Sequence, residues 1–280
     1  MKNFLADGLY ENLPIDEYHS DTAIGSSTLK TLARKTPAHV IGSQRKESAA
    51  FDFGSALHLA VLEPHKNEKI VCGPEDRRGA KWTSAKADAE VEGKLLLTSG
   101  DYSKVMSARD SIFKNVDCAE LLSGRVDPEI SVFHTNEEFD LRLKIRPDLY
   151  NYESDVMIDL KTSQSASPDF FARSISDYGY HIQAAFYEKV WNGYHKTLIG
   201  AFLFMVVEKE PPYAIAVYEL DHATLLEGYN LVQQGLEKYK ECRTKNVWPG
   251  YPSGVQKIGI PAYAFKTIPA LMPDEPSDPA

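Results

Sequence analysis

Hydrophobic and polar positions along the chain switch between helical and strand periods several times. Ser26 and Ser27 precede Leu29, Leu32 and Ala33, which predicts a helix opened by a serine cap and closed by about Pro37. A second, more apolar helix is expected from near Asp52 through FGSALHLAVLEP, where Pro64 stops it. Residues 73–104 are polar, with Arg77, Arg78, Lys81 and Lys86 close together, and read as a solvated loop and helix with a basic face. A helix over 104–122 follows. The texture then turns to strands over 129–135, 140–148 and 155–162. The middle one puts Leu141, Leu143 and Ile145 on one face and Arg142, Lys144 and Arg146 on the other, as an outward basic row. Ile182, Phe186 and Val190, four apart, mark the core stripe of a helix over 178–194. Residues 199–209 have the length and apolarity of a buried strand, and 213–220 makes its neighbour across Pro211-Pro212. Asp221 caps a last helix to about Lys245. The sum is a mixed α/β arrangement with a helical N-terminal flank. Residues 268–280 are acidic and proline-rich, a disordered tail behind a single domain over 1–267.

Composition narrows the class but not the function. At 280 residues, with 43% hydrophobic and 25% charged side chains, the chain has the make-up of a globular protein rather than a disordered or fibrous one. Its apolar runs stop far short of the ~20 residues that cross a bilayer. Asp7 and Glu11 interrupt the start, so it does not read as a secretory leader. Cys72, Cys118 and Cys242 are odd in number and far apart, which suits a reducing cytoplasm and excludes a four-thiolate cluster. A net charge of −9 argues against a general nucleic-acid coat, while leaving room for an enzyme that grips nucleic acid in one basic channel.

The chemistry concentrates in the strand block. Asp159 and Lys161 alternate onto one face, roughly 7 Å apart, and Asp148 ends the preceding strand directly after Pro147. If those two strands pair, their ends bring both aspartates beside the lysine, with Glu129 upstream. Two carboxylates and an ammonium suit a hard divalent cation, which prefers oxygen ligands, and could support phosphodiester hydrolysis. The plain alternative for an Asp and a Lys two apart is a solvated strand face. Gly54 and His58 share a helical face, as do Gln183 and Tyr187. A lone histidine of this kind is more often a satisfied core residue.

Taken in order, Gly54-x-x-x-His58, Glu129, Arg146-Pro147-Asp148, Asp159-Leu160-Lys161-Thr162 and Gln183-x-x-x-Tyr187 resemble the RecB-like branch of the PD-(D/E)xK nucleases. Within it the chain resembles RecE-type exonucleases of the exodeoxyribonuclease VIII kind, over about residues 14–251. The resemblance implies a restriction-endonuclease-like core, a mixed central sheet flanked by helices. It implies that Asp148 and Asp159, helped by the Leu160 carbonyl, ligate Mg²⁺ with Mn²⁺ as a substitute, and that Lys161 is the catalytic lysine. Glu129 would be an auxiliary metal contact and His58 would lie near a second metal or the scissile phosphate. Gln183 and Tyr187 would line the mouth of the site. Asp159 stands where many relatives carry Glu, and the iron–sulfur cluster of some branches is not expected.

DNA contacts would come from Arg77, Arg78 and Lys81, from the Lys30–Arg34–Lys35 face, and from the row Arg142, Lys144 and Arg146. Ser26 and Ser27 at a helix N-terminus would offer a phosphate pocket, and Trp82 a stacking surface. The implied activity is 5′-to-3′ degradation of one strand of linear double-stranded DNA, leaving 3′ single-stranded tails for a RecT-type annealing recombinase in homologous recombination. The protein would form a homo-oligomeric ring, with a tetramer expected. The alternatives are a single-strand exonuclease or endonuclease of the same fold, and an end-binding module with a decayed site. Asp159→Ala and Lys161→Ala are expected to abolish cleavage and to spare folding, as exposed positions would.

Overall fold

A computed structural model describes residues 5–42 and 53–265. In chain order the elements are β1 (Gly8–Tyr10), α1 (Ile15–Ser20), α2 (Ser26–Arg34), α3 (Ala38–Gly42), α4 (Phe53–Leu62), β2 (Ile70–Cys72), α5 (Ala80–Val91), β3 (Leu95–Leu97), α6 (Ser99–Lys114) and α7 (Val116–Leu121). They continue with β4 (Val126–Pro128), β5 (Ser131–Asn136), β6 (Leu141–Ile145), β7 (Leu149–Asn151), β8 (Val156–Ser163), α8 (Pro168–Tyr178), α9 (Tyr180–His195), β9 (Ala201–Glu208), β10 (Ile215–Glu219) and α10 (His222–Lys245). The expected helix start at Asp52 and the tail over 268–280 lie outside the described residues.

The central sheet has the order β10-β9-β8-β7-β4. β8 and β9 run parallel, joined by the α8–α9 crossover, and the other neighbours are antiparallel. β9 is apolar almost throughout because both its faces are covered. On β8, Ile158 and Leu160 pack with Leu57, Ala60 and Val61 of α4 and Val105 and Ile112 of α6. Met157 points to the other face, into a core with Ile182, Phe186 and Val190 of α9, the predicted stripe. α10 crosses α9 closely at Gly228, where an added Cβ would stand 2.3 Å from the His181 carbonyl oxygen.

Several expectations change. The segment 140–148 does not pair with 155–162. β6 belongs to a separate sheet, β1-β5-β6, and the chain changes sheets at Arg146-Pro147-Asp148 before β7 pairs with β8. Pro147 supplies no N–H to a ladder, so the break falls there. Nor is the basic row of β6 outward. Ile24 bridges to β6, donating its N–H to the Arg142 carbonyl and accepting from the Lys144 N–H, and the N-terminal segment lies over the row. The helix over 104–122 breaks at Asn115, whose side chain caps α7 by accepting from the Cys118 N–H at 3.0 Å. The cap of α2 is Gly25, with Ser26 and Ser27 in the first turn. The stretch read as a solvated loop and helix also holds β3, which pairs in parallel with β2 just before it. Asp221 does cap α10, accepting from the Thr224 N–H at 2.7 Å. Among the described residues no helix is long and apolar enough to cross a membrane.

Candidate active site

Where the two sheets meet, the ends of β6 and β8, the turn before β5 and the exposed side of α4 enclose a cleft of about 600 Å³. Ile15, Gly54, His58, Glu129, Arg146, Leu160, Lys161 and Tyr180 are among the residues that line it. The helical spacing of Gly54 and His58 thus does place both at one wall.

Asp148 hangs at the sheet change. Its Oδ2 accepts from the Leu160 N–H at 2.7 Å and stands 3.5 Å from His58 Nδ1. His58 Nε2 lies 2.7 Å from the Leu160 carbonyl oxygen, and since a carbonyl only accepts, the proton of that bond is on Nε2. Nδ1 is then the nitrogen left to ligate. Burial is the largest influence on Asp148 and pushes its carboxyl up to about 7; His58 pulls against burial and Asp159 adds to it.

Glu129 takes a left-handed backbone, φ +55, which is uncommon for a non-glycine residue and strained. Its N–H donates to the Asp148 carbonyl at 3.0 Å and its carboxylate accepts from Arg146 Nε at 2.6 Å. The turn aims the side chain into the cleft, where His58, Glu129 and Asp148 each offer a ligand atom within 4.8 Å of the others.

Asp159 is almost wholly buried, at 1% exposure, which overturns the expectation of an exposed position. Its Oδ1 pairs with the Lys161 ammonium and its Oδ2 accepts from Gln183 Nε2. It therefore stands beside the three-residue group rather than within it. Burial works to lower the Lys161 pKa, but Asp159 and Asp148 outweigh it and hold the group above the ordinary lysine value. The Lys161 ammonium also lies 4.9 Å from the centre of the Tyr180 ring.

Gln183 and Tyr187 are not at the mouth. Both are buried: Gln183 sits behind Asp159, and the Tyr187 hydroxyl donates to the Arg146 carbonyl at 3.1 Å, bracing the backbone that leads to Asp148. Burial raises the Tyr187 pKa well above its ordinary value, so the hydroxyl stays a donor.

The basic candidates divide. Lys144 is buried and donates to the carbonyls of Tyr18 and Asp21 at 2.6 and 2.7 Å. Arg142 reaches Asp21 and the Leu5 carbonyl. Only Arg146 of that row lines the cleft, held to Glu129 and to the Leu13 carbonyl. Arg77 pairs with Asp101 at 2.7 Å and lies over Trp82; Arg78 and Lys81 are exposed. None of these three lines the cleft, and neither do Ser26 and Ser27. Lys30 turns inward to α9, and the exposed Arg34 reaches the end of α8. Sequence reasoning missed Tyr180, although it lies three residues before Gln183 on the same side of α9.

The donor set is the carboxylates of Glu129 and Asp148, the His58 imidazole and the Leu160 carbonyl, with the buried Asp159–Lys161 pair beside them. It fits a hard divalent cation. The family model described as "PDDEXK-like domain of unknown function (DUF3799)" matches residues 25–258. The chain belongs to this PDDEXK-like family. No curated protein matches it. Among solved structures, this PDDEXK-like chain is similar to one from Eubacterium rectale described as a "Putative exonuclease", with a TM-score of 0.61 at 15% identity over 89% of this chain and 97% of that one. A "phage related exonuclease" from Haemophilus somnus is more distant, at a TM-score of 0.36 and 12% identity over 80% of this chain and 96% of that one. The first likeness is one of fold: helices packed on a mixed sheet, the PD-(D/E)xK core that the motif order implied.

Proposed function

We propose that the chain is a divalent-cation-dependent nuclease, and that it degrades one strand of linear double-stranded DNA from the 5′ end to leave 3′ tails for homologous recombination. The observation that carries the nuclease reading is the grouping of His58, Glu129 and Asp148 next to the Asp159–Lys161 pair, with His58, Glu129 and Lys161 lining one cleft. The description of the Eubacterium rectale protein as an exonuclease points the same way. The RecE-like order of motifs supports the 5′ duplex end as substrate, a ring of identical subunits, a tetramer by resemblance, and transfer of the tail to an annealing recombinase. A ring would also reconcile a net charge of −9 with DNA binding, by turning basic groups inward.

Asp148, Glu129, His58 Nδ1 and the Leu160 carbonyl, joined by Asp159, would hold Mg²⁺ or Mn²⁺. Such an ion supplies Lewis acidity and lowers the pKa of water. Lys161, kept as an ammonium by Asp159, donates hydrogen bonds to the attacking water or a phosphate oxygen and offsets charge that grows during attack. Arg146 fixes Glu129, and Tyr187 holds the main chain that carries Asp148. One water is consumed per bond. Its oxygen stays on phosphorus, one proton goes to the departing O3′ and the other to solvent.

The test is digestion of a linear duplex labelled at one 5′ end, with Mg²⁺, beside a covalently closed circle and the Lys161→Ala variant. Release of labelled nucleotide from the linear DNA alone, lost in the variant and in EDTA, is the expected result. Cutting of the circle would make the protein an endonuclease of this fold. Cleavage that survives complete chelation would remove the metal mechanism.

A further inference from the structure

Lys30 reaches from α2 to α9. Its ammonium donates to Gln183 Oε1 at 2.8 Å and lies 5.5 Å from the centre of the Tyr180 ring. Burial is the main influence on Lys30 and, with the charge of Lys161, lowers its pKa to about 8. It is not an ordinary surface lysine. A side-chain amide can turn either its oxygen or its NH₂ toward a neighbour, whereas an ammonium only donates. Lys30 therefore keeps Gln183 Oε1 on its own side and directs Nε2 to Asp159 Oδ2, to which it donates. Asp159 Oδ1 then pairs with Lys161. Donor and acceptor alternate along Lys30–Gln183–Asp159–Lys161 without a mismatch.

We infer that Lys30 is a positioning residue of the cation site, acting through Gln183 to hold the Asp159 carboxylate in one orientation. The inference rests on the reading of the cleft as a divalent-cation site and takes it one layer further. Arg34, four residues on and on the same face of α2, separates this role from plain docking. It donates to the carbonyls of Asp177 and Ser176 at the end of α8, beside Gly179, whose φ of +64 makes the turn into α9. Arg34 ties the helices together without touching a carboxylate.

The experiment is calorimetric titration of Mn²⁺ into the wild type, Lys30→Met, Gln183→Ala, the double variant and Arg34→Met, with thermal unfolding of each. Lys30→Met should weaken Mn²⁺ binding by about tenfold or more, the scale of losing a partner that orients a metal ligand. Gln183→Ala should do the same, and the double variant should bind no worse than Gln183→Ala. Arg34→Met should lower the unfolding temperature and leave Mn²⁺ affinity unchanged. Lys30→Gln can present either end of its amide and no longer enforces one orientation; it should show the same loss, and carries the test if the methionine variant does not fold. Unchanged affinity in the Lys30 variants, losses that multiply in the double variant, an equal loss in Arg34→Met, or a wild type that binds no Mn²⁺ would each overturn the inference. A wild type that binds Mn²⁺ in this pattern but cuts no DNA would sink the nuclease proposal and leave the role of Lys30 standing.

Discussion

β6 and β8 each carry charged side chains two residues apart, and they use them in opposite ways. On β6, Lys144 ends on two main-chain carbonyls and Arg142 on Asp21 and another carbonyl, all within the N-terminal segment. These charges fasten residues 5–24 to the sheet. On β8, the buried Asp159 pairs with Lys161, which lines a cleft beside the grouped His58, Glu129 and Asp148. Alternation decides which side chains share a strand face, whereas the use of that face is decided by what covers it. For β6 the cover is chain from the far N-terminus, and for β8 it is α9 on one side and open space beyond Lys161.

The contrast breaks most sharply on an isosteric change. Asp159→Asn is expected to slow cleavage on the order of 10³-fold, as for loss of a main electrostatic contributor, with unchanged circular dichroism. Wild-type rates in that variant would remove β8 from the chemistry. On the other strand, Lys144→Met should cost about 2–3 kcal/mol of stability, because two buried carbonyls lose their donor, and should leave the rate per folded molecule alone. Full stability with weakened DNA binding would instead make β6 a contact surface.

Asp148 sharpens the comparison through pH. Its pKa is about 7 in the folded chain against 3.8 ordinarily, so the folded state holds the proton more tightly. The metal-free fold keeps that contribution below about pH 4 and loses it as pH rises through about 7. Cation binding runs the other way, since a protonated carboxyl does not ligate, and Mn²⁺ affinity should fall about tenfold per pH unit below 7. An affinity flat between about pH 6 and about pH 8 would take Asp148 out of the ligand set. The smallest effect belongs to the exposed basic face. Lys81→Ala should reduce the slope of log affinity against log salt by about one and spare the chemical step. An unchanged slope would leave that face as solvated charge.

The parts of the site legible in advance were those set by local period. Asp159 and Lys161 follow from strand alternation, Gly54 and His58 from helical spacing, and the α9 stripe from its four-residue repeat. What escaped depends on contacts between distant segments. That Glu129 would adopt a left-handed turn could not be read from Pro128-Glu129-Ile130, because the carbonyl and guanidinium that hold it come from Asp148 and Arg146. Tyr187 shares a face with Gln183, but whether that face met the cleft or the core was settled by where the chain changes sheets. Lys30 looked like one cation among several on α2 because its partner lies on α9. The basic row of β6 was misread for the same reason, since nothing in the strand itself shows that residues 5–24 return over it.

The parallel pairing of β8 with β9 also bears on the order in which the protein is made. A parallel partner cannot arrive by a hairpin; α8 and α9 must be synthesised first. A nascent chain that has just passed Lys161 already contains every carboxylate of the cleft, on a strand whose β9 side is still open. Gln183 emerges only with the crossover, and β9 after it. The strand that carries Asp159 and Lys161 thus gains its central neighbour only from the same late segment that completes the sheet.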